Sequence, residues 1–277
     1  MRVLKQIFNF YINSSIHVAL AVVAMTWVTF IKFHLDHDFV LLPFVFFATV
    51  TGYNFVKYFG VAKFHHRSLA TWLKTIQIFS FFAFLGACYY ALKLAIDSII
   101  YLSVFGLITF LYAIPLLPMQ YFRDSQKNLR QIGGLKIYII ALVWAFTTVF
   151  LPLIEKNYPI DSDVVITGAQ YFIFVIALML PFEIRDLIYD SLKLGTIPQR
   201  IGVKNTKLIG AVLLLVFFLL EFFKNEIKCN AITSNGIILC ITLFFIVLAH
   251  KKQSKYYSAF WVESIPVFWL LILLILG

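Results

Sequence analysis

Charge is scarce in this chain, and negative charge is scarcest. Only 13% of the 277 residues are Asp, Glu, Lys or Arg, only 13 are acidic, and 62% are hydrophobic. A globule of this length has too little polar surface at that composition, so a water-soluble fold is excluded and a polytopic membrane protein is implied. Cysteine is also rare. Cys88, Cys229 and Cys240 are scattered, odd in number and without metal-ligand spacing, which leaves neither a disulfide framework nor a zinc site to read. There is no Gly-rich phosphate loop, no local Ser-His-Asp motif and no repeat of solenoid period. His34 and His37, with Asp36 and Asp38, have the spacing of a metal pair but share one short loop, and a solvated turn explains them better.

What is present is a series of apolar runs at about 14–33, 39–58, 72–95, 98–119, 135–154, 164–184, 207–223, 231–249 and 258–276. Each is long enough to cross or nearly cross a bilayer. The expected fold is all-α, with nine transmembrane helices in one bundle and a single domain over 1–277. Arg2 and Lys5 precede a segment too long for a signal-peptide core, so it reads as a retained first span. With alternating sides, 18 of the 23 Lys and Arg residues fall on the side of the amino terminus. That asymmetry predicts a cytoplasmic amino terminus and accounts for the net charge of +10 without nucleic acid as a partner.

One apolar run ends in an unexpected way. The segment Pro181-Phe182-Glu183-Ile184-Arg185-Asp186-Leu187-Ile188-Tyr189-Asp190 carries three carboxylates at helical spacing. At a bilayer centre each would cost roughly 2.5–3.5 kcal/mol, so the stripe belongs at a helix end, facing a wet cavity. Acidic oxygens grouped there suit a hard divalent cation. The structural alternative is an amphipathic helix end, or pairing with Arg185 and Lys193 across a solvated loop.

The stripe and the loop after Asp190 together carry a resemblance. Asp186 and Asp190 at the end of the sixth run, then Gly195-Thr196-Ile197-Pro198 and Gly202 before the seventh, are similar to the second aspartate motif of UbiA-type intramembrane prenyltransferases. Leu111-Tyr112-Ala113-Ile114-Pro115 and the basic loop from Arg123 to Lys136 fall in the family's order. The resemblance implies transfer of a prenyl group from a polyprenyl diphosphate to a lipophilic acceptor in a bacterial inner membrane, with the site loops cytoplasmic. It implies magnesium (Mg2+) at Asp186 and Asp190 with Glu183 in support.

The match is partial. Where the family has an Asn followed by three aspartates after the second span, this chain has Asn54-Phe55-Val56-Lys57-Tyr58, and all three aspartates are missing. In their place stand Lys57, Lys63, His65, His66 and Arg67. The expected diphosphate-binding set is therefore Asn54, Lys57, Lys63, Arg67, Arg130 and Lys136, although the sidedness of basic residues alone explains the sign of that cluster. Asp186, Asp190 and Tyr112 are the expected catalytic residues, Tyr112 and the carboxylates being candidates for the base. A polar patch at Asn13, Ser14, Ser15 and His17 either lines the same cavity or caps helices. A non-catalytic relative that binds a prenyl lipid or a partner protein, and a small transporter, remain the other expectations.

Overall fold

The computed structural model describes residues 2–58, 67–113, 134–188 and 195–276, and among these every regular element is helical. In chain order they are α1 (Arg2–Asn13), α2 (Ile16–Lys32), α3 (Leu41–Tyr58), α4 (Arg67–Ala91), α5 (Ile96–Ala113), α6 (Leu135–Ala145), α7 (Leu151–Glu155), α8 (Ser162–Asp186), α9 (Ile197–Leu219), α10 (Cys229–Leu248) and α11 (Ile265–Leu276). A π-helical stretch at Phe146–Phe150 joins α6 to α7, and another at Tyr257–Val262 leads towards α11.

Six of these segments are long and apolar enough to cross a bilayer, and α1 with α2, bent by 52°, makes up to seven. This is a membrane protein. The count falls below nine because Thr49, Thr51, Asn54 and Lys57 dilute the hydropathy of α3, while the apolar part of α5 described here is only Ile96–Phe110. Two boundaries differ from expectation. The first helix begins at Arg2 and breaks at Ser15, which takes a left-handed φ of 64°. The segment expected as a loop up to Asn205 is helical from Ile197, where the Gln199 side chain accepts from the Thr196 amide at 3.0 Å. Gly202, with a φ of 78°, kinks α9 in a conformation that a side chain would strain.

Neighbours in sequence are mostly neighbours in space. α2 packs on α3 and α3 on α4, α6 packs on α8, and α8, α9, α10 and α11 pack in succession until α11 returns to α2. The chain closes into a ring whose polar contacts pair like ends. At the near end Lys57 meets Asn13, Lys136 meets Asp186 and Lys255 meets Asn9; at the far end Lys156 meets Asp38 and Lys228 meets Lys32.

The far half of the ring is filled. Pro152 has no N–H to offer the Thr148 carbonyl in an α-helical pattern, and that oxygen accepts from Thr29 Oγ1 at 2.6 Å, fastening α2 to the π-helical turn. Gly168 lets α8 come so close to that turn that a Cβ there would sit 2.6 Å from the Phe150 ring. Tyr171, Phe174, Phe217 and Trp269 form one aromatic cluster. Beside it lies a buried polar knot. Glu221 Oε2 accepts from Gln170 Nε2, Asn235 Nδ2 and Lys224 Nζ, each at 2.9 Å. Lys32 Nζ donates to Asn235 Oδ1 at 3.0 Å and stands 4.7 Å from the Trp269 ring.

That knot predicts a stability effect. Glu221→Ala removes the carboxylate from two ammonium groups buried in the bundle, which should cost about 3–5 kcal/mol. Thermal unfolding in detergent should show a large drop; an unchanged midpoint would mean that the charges are not desolvated. A second test uses Asp38, which accepts from the Val40 and Leu41 amides at 2.7 and 2.9 Å and pairs with Lys156 at 2.8 Å. Burial raises its pKa, but the Lys156 ammonium and the two amides outweigh it and hold the carboxyl below its ordinary 3.8. A depressed folded pKa gives stability that is full above about pH 4 and lost as pH falls through the folded value. Asp38→Ala should cost about 1 kcal/mol near neutrality and remove that part of the acid dependence. Parallel pH–stability curves for both proteins would contradict the assignment.

Candidate functional site

The near half of the ring is built differently. Here α3 and α8 end in Lys57 and Asp186, α6 begins beside Lys136, and the last span is interrupted where Glu263 and Ser264 separate the π-helical turn from α11. The Glu263 amide bonds back to the Ser258 carbonyl at 3.2 Å and that of Ser264 to Phe260 at 2.9 Å, while Pro266 stands just inside α11. At 1.5 Å per helical residue, Glu263 is about 20 Å from the far end of its span and so lies within a hydrocarbon layer of roughly 30 Å.

Charges converge at this end. Asp186 Oδ1 accepts from Arg185 Nε at 2.8 Å and lies 2.7 Å from Arg185 Nη2, and Lys136 Nζ stands 3.8 Å from Asp186 Oδ2. The Arg185 guanidinium lies 5.3 Å from the centre of the Phe182 ring. Lys57 donates to the Asn13 carbonyl at 3.2 Å and is within electrostatic reach of both Arg185 and Glu263. Glu263 in turn is within reach of Lys57 and Arg185, and it retains accessible surface although it lies inside the bundle. Among the described residues Lys57, Lys136 and Arg185 therefore stand near Asp186 and Glu263 at one end of the bundle, with Glu183 one turn further in. A multivalent anion gains most from such a place, through charge-assisted hydrogen bonds in reduced dielectric.

Tyr53 and Tyr11 are within electrostatic reach of Glu263. Trp144 Nε1 donates to Tyr53 OH at 2.6 Å, joining α6 to α3. Tyr11 OH donates to His17 Nδ1 at 2.7 Å, and His17 Nε2 bonds the Phe260 carbonyl at 2.9 Å. A carbonyl can only accept, so the proton is on Nε2, which leaves Nδ1 as the acceptor for Tyr11. Ser264 Oγ also donates to the Phe260 carbonyl, at 2.6 Å, and stands 3.1 Å from His17 Nε2.

The expected site residues fare unequally. Asp186, Lys57 and Lys136 come together at the near end. Glu183 lies one turn further in, 2% exposed. Asn54 is 3% exposed and committed within the fold. Its Oδ1 accepts from Ser15 Oγ at 2.8 Å, and its Nδ2 donates to the Ser14 carbonyl and to Ser80 Oγ, both at 2.9 Å. Asn54 thus secures the break between α1 and α2, and its amide makes no described contact with the charged cluster. Lys63, Arg130 and Asp190 lie outside the described residues, as do the side chains of Arg67 and Tyr112. Among the described residues no three His, Cys, Asp or Glu side chains converge as a metal centre.

Arg185 and Glu263 are not among the expected site residues, while Tyr53 and Trp144 are two of the many rings whose faces could favour an allylic cation. For Glu263 the sequence held a usable signal, a single carboxylate in an otherwise apolar final span. For Tyr53 and Trp144 it held none, because aromatic rings are abundant throughout the chain.

The cluster makes a testable anion site. Inorganic diphosphate should bind the purified protein more weakly as salt rises. Arg185→Ala should lower the affinity by about tenfold to 100-fold, as expected for the ~1.5–3 kcal/mol of a hydrogen bond to a charged group. Lys228→Ala, at the far end, serves as the control and should change nothing; equal affinities in all three proteins would contradict the site. No protein-family model matches the chain, and no curated protein and no solved structure is significantly similar to it.

Proposed function

We propose that this protein is a divergent prenyltransferase of the UbiA type, transferring a prenyl group from a polyprenyl diphosphate to a lipophilic acceptor within a bacterial inner membrane. The observation that carries this reading is the set of Lys57, Lys136 and Arg185 near Asp186, with Glu263 and the Tyr53–Trp144 pair close by. Taken as a binding site, these groups form the mouth of a recess, and a diphosphate fits it by charge. An isoprenoid tail fits the apolar bundle beneath.

In this reading the chain crosses the membrane nine times, α1 and α2 together forming the first crossing, with the amino terminus and the recess on the cytoplasmic side. The side bias of Lys and Arg supports that orientation. Prenyl diphosphates are made in the aqueous phase, so a recess on that face meets its donor directly.

The residues have separate tasks. Lys57, Lys136 and Arg185 bind the diphosphate and offset the charge it gains as the allylic C–O bond breaks. The Tyr53–Trp144 pair holds one wall of the recess in place, and ring faces turned inward favour a developing allylic cation. Asp186, which already balances two of the cations, would with Asp190 and Glu183 hold magnesium; one carboxylate with substrate oxygens is a common way to bind that ion. When bound, magnesium neutralises the leaving diphosphate.

A second reading has a specific observation behind it. The Asp186 carboxylate is held by Arg185 and approached by Lys136, as it would be in a relative that binds a prenyl lipid without turning it over.

A labelled polyprenyl diphosphate offered to purified protein with a panel of lipophilic acceptors separates the two. Magnesium-dependent product that vanishes with chelator, and falls on the order of 100-fold in Asp186→Asn while protein yield is kept, is the expected result. Donor retained without conversion would establish the binding relative instead.

A further inference from the structure

We infer that Glu263 is the base of the reaction, the group that takes the proton the acceptor must lose when it is prenylated. This rests on the prenyl-transfer reading and adds a residue to it.

The placement of Glu263 is hard to explain otherwise. An apolar span has no need of a carboxylate, and one kept inside the membrane region is costly unless it pairs or acts. The Glu221 carboxylate at the far end shows what pairing looks like in this bundle, with three hydrogen bonds and under 3% exposure. Glu263 has no such shell: its carboxylate makes no hydrogen bond or ion pair with any described residue, and it retains accessible surface. It sits where the helix is broken, so its orientation is set by a turn and not by a packed helical face.

The surroundings suit proton transfer. Lys57 from α3 and Arg185 from α8 are within electrostatic reach, as are the phenols of Tyr53 on α3 and Tyr11 on α1. Tyr11 is committed to His17, and Tyr53 accepts from Trp144. Both imidazole nitrogens of His17 are engaged as well, and that residue is only 4% exposed, so among these groups Glu263 is the one whose side chain has no hydrogen-bond partner among the described residues. Its depth also fits. A diphosphate at the mouth places its first carbon inward, and Glu263 lies further in than the helix ends carrying Lys57 and Asp186.

The step balances without another reagent. The allylic C–O bond breaks and its electron pair leaves on the diphosphate. The nucleophilic atom of the acceptor bonds to the allylic carbon, and the proton it carried passes to Glu263. The carboxylate form must be present beforehand; burial opposes it, and Lys57 and Arg185 favour it.

The test uses full-length protein reconstituted in lipid with magnesium, a labelled polyprenyl diphosphate and a panel of phenolic acceptors, comparing wild type with Glu263→Gln and Glu263→Asp. Product formation by Glu263→Gln should fall about 100-fold or more, and the part of the rate that rises with pH in the wild type should disappear. Melting temperature should stay within a few degrees of wild type, acceptor-free release of diphosphate should not fall in parallel with product, and Glu263→Asp should recover part of the rate. Undiminished product from Glu263→Gln would overturn the inference. A parallel fall in product and in acceptor-free diphosphate release would also overturn it, by showing a role in ionising the donor. If wild type converts no donor at all, the prenyl-transfer reading itself fails, which is a different result from an active wild type with an active Glu263→Gln.

Discussion

Lipid offers a charged side chain no partner, and that constraint organises the molecule. Every Lys, Glu, Asn or Gln within the apolar spans must turn inward or reach an interface, so the ring of helices has a polar interior wherever such residues fall. The two ends meet the demand differently. At the far end Lys32, Glu221, Lys224, Asn235 and Gln170 satisfy one another almost completely and bind four helices together. At the near end Lys57, Lys136 and Arg185 gather near Asp186 and Glu263, and the Glu263 carboxylate makes no hydrogen bond with any described residue.

This division separates stability from function. A satisfied knot beside an aromatic cluster forms a rigid floor, and the links from Thr29 to the Thr148 carbonyl and from Asn54 to the broken first helix add fixed points around it. Among the described residues, the long side chains of Lys57, Lys136 and Arg185 meet Asp186, one carbonyl oxygen and, at longer range, Glu263. Local breaks serve the same purpose: the interruption at Glu263 points a carboxylate inward where a regular helix would bury a hydrocarbon, much as discontinuous spans do in other membrane proteins that bind ions and anions.

How much of this was legible beforehand depends on the range of the forces involved. Hydropathy is a local sum, so the apolar runs and the all-helical class could be read directly. Their ends could not where polarity was mixed, as in α3, or where helix caps resembled a loop, as at Thr196 and Gln199. The acidic stripe after Pro181 was visible because three carboxylates stood out against their neighbours. Asp186 meets Lys136 as a site would require, yet the bond it makes to the adjacent Arg185 is the one the sequence offered as a structural alternative. Asn54 shows another limit: motif position suggested a ligand, and the hydrogen bonds its amide makes to Ser14, Ser15 and Ser80 could not be read from that position. The Glu221 knot depends on four helices that meet only in three dimensions, and nothing in a single span announces it.

The central claim is that the cations at the near end hold a diphosphate over an apolar hollow. The most direct measurement is an experimental structure determined with magnesium and a non-hydrolysable allylic thiodiphosphate. Diphosphate density among Lys57, Lys136, Arg185 and Asp186, with the isoprenoid chain running inward past Tyr53, is the outcome the account requires. Density for the ligand elsewhere on the bundle, with those side chains still bonded only to one another, would contradict it.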